Sequence, residues 1–441
     1  MDFTARRFDT GQWVRIQIEG QWIARIDPVS PSEGPKEHGP WVAPGLVDLQ
    51  VNGYGGQEFS SPDLTVKKVV EIALAMDQFG VVRFCPTITT NSREIMEHAV
   101  EMIAQAIREN MGVARRVAGI HLEGPYISPQ DGARGAHPLA HCRPPDWQEF
   151  QQLQKAAHGR IRIVTLTPEY EGATEFIRQA SAHGVVVSIG HTAASPEQIH
   201  AAADAGARMS THLGNGCHPI LPRHRNYLWA QLADDRLTAG LIGDGFHLPA
   251  DVLKCLVRAK TPARCVLVSD LSGMAGLPPG RYSTNLCELE ILPHGKLVIA
   301  GQQELLAGAA LPIGAGVANL IRFAGLSLSE AMALASEGPL RVLGMEPVRL
   351  APGQLADMVV FHLEGSNEDG RNSELDEFAQ NAQMSQNGPD KWNGNSRINN
   401  FPENTPHPSP MSQEKRTAAS QAGFRVLATM LGGQVVYGDL P

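Results

Sequence analysis

Three residues of metal-binding type each stand at the end of a short, mostly apolar run. Glu123 follows Val117 to Leu122, His191 follows Val185 to Gly190, and His212 follows Ala207 to Thr211. One carboxylate and two imidazoles make a three-ligand set for a divalent cation and leave a coordination position open. An open position admits a water whose acidity the ion raises, so the set reads as the centre of a metal-dependent hydrolase. Asp270 closes a further run, Val266-Leu267-Val268-Ser269. A carboxylate facing such a water can take its proton and pass it to a leaving amine. A single histidine at a strand end is commonly a surface residue, and a single aspartate commonly a helix cap. Their recurrence at equivalent strand ends is what points to a site.

The elements that would position these residues alternate along the chain. Short apolar strands are expected near 46–51, 81–86, 115–122, 161–166, 185–190, 207–212, 239–243 and 264–269. Amphipathic helices are expected near 65–79, 92–109, 146–157, 173–183, 195–205 and 249–260, with Ser195-Pro196-Glu197 as a helix start. Eight strands with helices between them predict an α/β fold, a (β/α)8 TIM-like barrel, whose active site lies where the strands end. Residues 12–27 alternate apolar and polar about a turn at Glu19-Gly20-Gln21, and 28–40 form a Pro/Gly/Ser-rich linker. A hairpin is expected within 281–300, helices over 313–324 and 328–336, and strands over 355–363, 424–429 and 434–437. Gly432-Gly433 turns the last pair. The terminal strands together predict a small β-sandwich from residues 1–44 and 350–441, with the barrel, 45–349, inserted in it. Residues 365–420, rich in Asn, Ser, Gln and Pro, interrupt that domain and read as a disordered insert, with a partner-binding segment as the alternative.

Composition bounds the function. The chain has 441 residues, 42% of them hydrophobic, enough for a barrel and a small domain. A formal charge of -9 argues against nucleic acid as the main partner. No apolar run suits a membrane span or a signal peptide. Six cysteines without C-x-x-C spacing read as thiols of a reducing, cytoplasmic compartment.

Other candidate residues lie in loops on the same barrel face. His137 and His247 could each donate a hydrogen bond to a carbonyl or hold a substrate oxygen. Asn215-Gly216 and Arg223 suit either a bound anion or an exposed basic loop. Gln50 and Asn52 share one face of the first strand, and as amides would hold any second metal only weakly.

With these residues in place, the chain resembles the amidohydrolase superfamily and, within it, the N-acetylglucosamine-6-phosphate deacetylase family. The matching segments are Pro44 to Gly53, Gly119 to Pro125, Gly190-His191-Thr192, Thr211 to Asn215, Asp244 to His247, Ser269-Asp270, Leu306 to Ala309 and Leu350 to Asp357. The resemblance implies one divalent metal per chain, often zinc, on Glu123, His191 and His212, with Asp270 as general acid/base. It implies that His137 polarises the acetyl carbonyl and that Asn215, Gly216, Arg223 and His247 contact a sugar phosphate. It further implies a homodimer, and a one-metal subgroup marked by Gln50 and Asn52. Residues 216–226 depart from the family wording around the phosphate-binding arginine. The expected reaction is deacetylation of N-acetylglucosamine 6-phosphate to glucosamine 6-phosphate and acetate. Two alternatives stay open: an amidohydrolase acting on another N-acyl or cyclic amide, and a non-catalytic metal-dependent sensor or scaffold.

Overall fold

Eight parallel strands follow one another in chain order around a nearly closed sheet: Leu46–Val51, Val81–Thr89, Ile120–Glu123, Ile161–Leu166, Val186–Ile189, Met209–Ser210, Thr238–Ile242 and Cys265–Val268. The computed structural model describes residues 1–30, 39–284, 287–364 and 423–441. Most of the expected linker and the whole 365–420 insert lie outside the described residues. The barrel strands are buried on both faces because one face fills the barrel and the other meets helices; every residue of Leu46–Val51 and Ile120–Glu123 is buried, the polar Asp48, Gln50, His121 and Glu123 included.

Local chemistry starts the helices. Thr65, Ser92 and Asp146 cap the helices that begin at Val66, Arg93 and Trp147, and Ser195 forms a capping box with Gln198. The expected strand at 115–122 is shorter than its apolar run. Asn110 accepts the Val113 N–H and starts a helix, Met111–Arg116; Val117 makes one isolated bridge to Phe84, and the strand itself begins only at Ile120. The run at 207–212 likewise pairs over Met209–Ser210 alone and then turns to present His212. Two further short helices, Tyr227–Ala233 and Glu337–Val342, have no counterpart in the sequence reading. The hairpin expected within 281–300 is part of a four-stranded antiparallel sheet, Gly280–Ser283, Glu288–Ile291, Leu297–Ile299 and Gln302–Leu306.

The terminal strands form one seven-stranded sheet, in the order 434–438, 424–431, 358–363, 41–44, 2–7, 13–19, 22–28. It curls over its own core, in which Phe3, Val14, Ile16 and Ile18 meet Met358, Val360, Ala428 and Met430. Gly433 lies directly against the Gly20 carbonyl, leaving no room for a Cβ. The two layers expected of a sandwich are therefore two halves of one sheet. Its other face docks on the barrel, where Thr429 Oγ1 donates to the Asp77 carbonyl and the Asp77 carboxylate pairs twice, at 2.7 Å, with buried Arg116.

The seam between the first and eighth barrel strands is laced mainly by side chains. Asp48 Oδ1 accepts from the N–H groups of Gln50 (3.2 Å) and Ser269 (3.1 Å), and Ser269 Oγ donates to the Gln50 carbonyl. Beyond it the Asn52 N–H donates to the Leu271 carbonyl at 2.8 Å. Burial pushes the Asp48 carboxyl up to about 7, well above the ordinary aspartate value, against the lowering effect of its hydrogen bonds. The folded chain thus holds a proton there that the unfolded chain releases as pH rises from about 4 to about 7, so this residue's contribution to stability falls across that window. Melting the parent and Asp48→Asn between pH 4 and pH 7 should show a steeper decline in Tm for the parent. Parallel curves would show that Asp48 is ionised in the fold.

Candidate active site

Glu123, His191 and His212 converge at the C-terminal mouth of the barrel, all three buried, with their ligand atoms within 4.8 Å of one another. His212 Nε2 lies 2.9 Å from Glu123 Oε1, His191 Nε2 lies 3.3 Å from the same oxygen, and the two Nε2 atoms are 3.1 Å apart. Nitrogen and oxygen donors about 2.0–2.1 Å from a tetrahedral ion stand roughly 3.3 Å from one another. The observed spacings are on that scale. His191 Nδ1 donates to the Ala133 carbonyl at 3.1 Å, which turns the ring so that Nε2 faces the centre. The donor set therefore fits a divalent cation, and among the described residues it is the one such cluster.

The backbone is bent to achieve this. Among the described residues five that are not glycine have positive φ, and three of them are His191 (49°), His212 (30°) and Asp270 (54°). Such conformations cost about 1–3 kcal/mol each and persist only where neighbours over-determine them. The neighbours are visible. The Ser128 N–H donates to the His191 carbonyl at 2.9 Å, and the Ala309 N–H to the Asp270 carbonyl at 2.8 Å. Beyond His191, Glu169 Oε2 collects three donors: Thr167 Oγ1 at 2.6 Å, Thr192 Oγ1 at 3.1 Å and the Ala193 N–H at 2.5 Å. Gly216 comes so close to the His191 ring that a Cβ would stand 2.7 Å from Nδ1.

The first-strand amides take a role that their sequence position hid. Gln50 Nε2 donates to Glu123 Oε1 and Asn52 Nδ2 to Asp270 Oδ1, each at 2.8 Å. They orient carboxylates. Asp270 is buried and is pushed up to about 6, first by burial and then by the charge of Glu123. Burial would raise Glu123 too, but hydrogen bonds from His191 and His212 hold it well below the usual carboxylate range. For His212, burial is outweighed by the hydrogen bond and charge of Glu123, and its pKa rises.

A cavity of about 280 Å³ opens over these groups and takes in His137, Asn215, Gly216 and His247. His137 shares a 2.8 Å hydrogen bond between Nδ1 and Thr90 Oγ1, and its ring stands edge-on to His191 at 4.3 Å. Burial, then the nearby His191, pushes His137 down to about 3, so it is neutral. Asp244 Oδ2 accepts from His247 Nδ1 at 2.7 Å while its Oδ1 holds the N–H groups of Phe246 and His247, which leaves Nε2 for the cavity. Arg223 is not brought to the cavity. It is exposed on the 216–226 loop, where its carbonyl accepts from Trp229 Nε1 at 3.2 Å. The four-stranded sheet, unread as a wall from the sequence, contributes Thr284, Cys287, Leu289, Leu305 and Leu306.

The amidohydrolase family pattern matches residues 41–436, nine-tenths of the chain. The chain belongs to the amidohydrolase family. It is 35% identical over 366 residues to the N-acetylgalactosamine-6-phosphate deacetylase of Escherichia coli O157:H7, covering 81% of this chain and 94% of that one. It is also 35% identical to the human N-acetylglucosamine-6-phosphate deacetylase, covering 73% and 79% of the two chains. Among solved structures, the N-acetyl-D-glucosamine-6-phosphate deacetylase of Mycobacterium smegmatis, as a variant in complex with N-acetyl-D-glucosamine 6-phosphate, superposes with a TM-score of 0.73. That match has 28% identity and covers 82% of this chain and 94% of that one. The deacetylase of Thermotoga maritima shares the fold with a TM-score of 0.74, 23% identity and 99% coverage of both chains. This amidohydrolase is therefore a metal-dependent enzyme of C–N amide hydrolysis, as its residues at the strand ends indicated.

Glu169 gives the site a testable support. Replacing it with Ala frees the segment after His191 while leaving every metal donor in place. Metal affinity, read by competition with a chelator, should fall about 10- to 100-fold, the range for removing groups that orient ligands. Unchanged affinity would show that the strained His191 backbone is held without Glu169.

Proposed function

We propose that this amidohydrolase removes the acetyl group from an N-acetylhexosamine 6-phosphate, with N-acetylglucosamine 6-phosphate as the leading substrate. The observation that carries the reading is the placement of Asp270 in the same cavity as the Glu123–His191–His212 cluster, each carboxylate oriented by its own amide. Glu123, His191 and His212 would hold one divalent ion, most simply zinc for an N/O donor set with an open position. When bound, the ion supplies Lewis acidity, which acidifies a water and polarises the acetyl carbonyl. Asp270, with Oδ1 engaged by Asn52, takes the proton of the attacking water through its other oxygen. His137 is neutral, and with Thr90 donating to Nδ1 its Nε2–H is free to donate to the acetyl oxygen as that oxygen gains charge. Asp270 then returns the proton to the nitrogen as the C–N bond breaks, giving acetate and the free amine.

The phosphate end of the substrate falls to His247 and the backbone of Asn215-Gly216. No Arg or Lys lines the cavity among the described residues. Arg223 therefore serves best from a second copy of the chain, in a homodimer that would also cover Ile220, which is 86% exposed. The N-acetylgalactosamine epimer is a specific second reading, favoured by the 35% identity to the Escherichia coli O157:H7 deacetylase. The free thiols suit a reducing, cytoplasmic setting, and no helix among the described residues is long and apolar enough to cross a membrane.

Acetate release from both hexosamine 6-phosphates and from unphosphorylated N-acetylglucosamine tests the reading. A 6-phosphate should be preferred over the unphosphorylated sugar. Asp270→Asn should keep the metal and lose several orders of magnitude in kcat. Activity within about tenfold of the parent, a loss of ~1.4 kcal/mol, would mean that another group moves the proton.

A further inference from the structure

One carboxylate in the cavity has no part in that chemistry. Glu58 ends the two-residue strand Gln57–Glu58, which pairs antiparallel with Gly53–Tyr54. This hairpin is fastened to the segment that follows Asp270. The Asn52, Gly56 and Gly55 N–H groups donate to the carbonyls of Leu271, Gly273 and Ala275 at 2.8, 2.7 and 2.9 Å. The Glu58 side chain packs on Gly273 so closely that a Cβ there would stand 2.1 Å from Glu58 Cγ. Cys287, just before the second strand of the four-stranded sheet, has its thiol pKa raised first by burial and to a lesser degree by the charge of Glu58. Glu58, Ser272, Thr284 and Cys287 all line the cavity. The carboxylate thus sits between the Asp270 loop and the inserted sheet, on the cavity wall.

The other two cavity carboxylates are satisfied. Glu123 accepts from Gln50 and faces two histidines, and Asp270 accepts from Asn52. Among the described residues the Glu58 carboxylate accepts no hydrogen bond and faces no cation within ion-pair distance, and burial alone raises its pKa. Glu58 is half-buried on the cavity wall, and partial loss of water around an unpartnered carboxylate is unfavourable, an imbalance that ends when a ligand brings a donor. The ligand's parts divide between the available groups. A phosphate is repelled by a carboxylate, and the acetamido group belongs to Asp270 and His137. What remains of an amino-sugar phosphate is the neutral ring with its hydroxyls, each an O–H donor.

We propose that Glu58 accepts a charge-assisted hydrogen bond from a ring hydroxyl of the amino sugar and so determines which hydroxyl configuration the site takes. The inference rests on the hexosamine 6-phosphate reading and adds to it the residue that selects the sugar. Glu58 is a binding and specificity residue. It moves no proton in the reaction.

The test pairs deletion of the carboxylate with deletion of the hydroxyl. kcat/KM is measured for the parent, Glu58→Gln and Glu58→Ala on the preferred hexosamine 6-phosphate and on its 3-deoxy and 4-deoxy analogues, with metal content and Tm of each protein. On the full sugar the variants should lose about 10- to 100-fold, mainly through KM, with metal content unchanged. On the analogue lacking the partner hydroxyl, parent and variants should agree within about twofold. Glu58→Gln should melt no lower than the parent, because it removes a half-buried charge that has no partner among the described residues. An equal loss on every analogue, no loss on the full sugar, or a lowered Tm for Glu58→Gln would overturn the role of Glu58 and leave the substrate reading standing. A parent that turns over neither hexosamine 6-phosphate would instead overturn the substrate reading, and the Glu58 proposal with it.

Discussion

Bringing one carboxylate and two imidazoles within 4.8 Å of one another in a buried place is the constraint that the rest of the barrel mouth serves. Each strand must end where its ligand begins, and each ligand must leave the strand direction at once. The sixth strand pairs over only two residues before the chain turns into His212, and His191 and His212 both take positive φ. Backbone strain of that kind survives only under many independent holds. Here the holds come from the Ser128 and Ala309 N–H groups, from the Glu169 carboxylate, and from a glycine that lets a loop lie against an imidazole ring.

The same place separates carboxylates by environment. Glu123 is pulled down by two imidazoles and stays an anion, ready to face a cation. Asp270, similarly buried but held by a single neutral amide donor, is pushed up to about 6 and is poised to exchange a proton. A bound cation draws Asp270 back toward its ionised, basic form, so the two roles depend on one charge between them. Below the mouth a buried chain of hydrogen bonds links His121, Thr165, Thr211 and Ser188 at 2.6–2.8 Å. It ties together the third to sixth strands beneath the ligands, so the polar groups inside the barrel brace the site above them.

Strand-end chemistry was legible because it follows periodicity. An apolar run fixes where a barrel strand stops, and the polar residue at that stop faces the mouth. Glu123, His191, His212 and Asp270 obey that rule. The helix Met111–Arg116 was hidden because it is only six residues long and its end overlaps the expected strand at 115–122, and the deciding signal, the Asn110 cap, is a single side chain. Gln50 and Asn52 looked like weak ligands because sequence gives residue type and not which end of an amide faces inward; both present their NH2 groups to carboxylates. Arg223 has a suitable distance in sequence from Asn215, but its loop faces outward. The cavity walls were the least legible part. Glu58, Thr284, Cys287 and Leu305 come from segments remote in sequence that meet only when the inserted sheet folds over the mouth.

The central claim is that one divalent ion is held by Glu123, His191 and His212 alone. A crystal structure of the metal-loaded protein, with anomalous data collected at the absorption edge of the metal, tests it most directly. One anomalous peak per chain is expected, within bonding distance of His191 Nε2, His212 Nε2 and a Glu123 oxygen, with Gln50 and Asn52 still donating to their carboxylates. Two peaks of comparable occupancy, or one peak bound by Gln50 and Asn52, would contradict it.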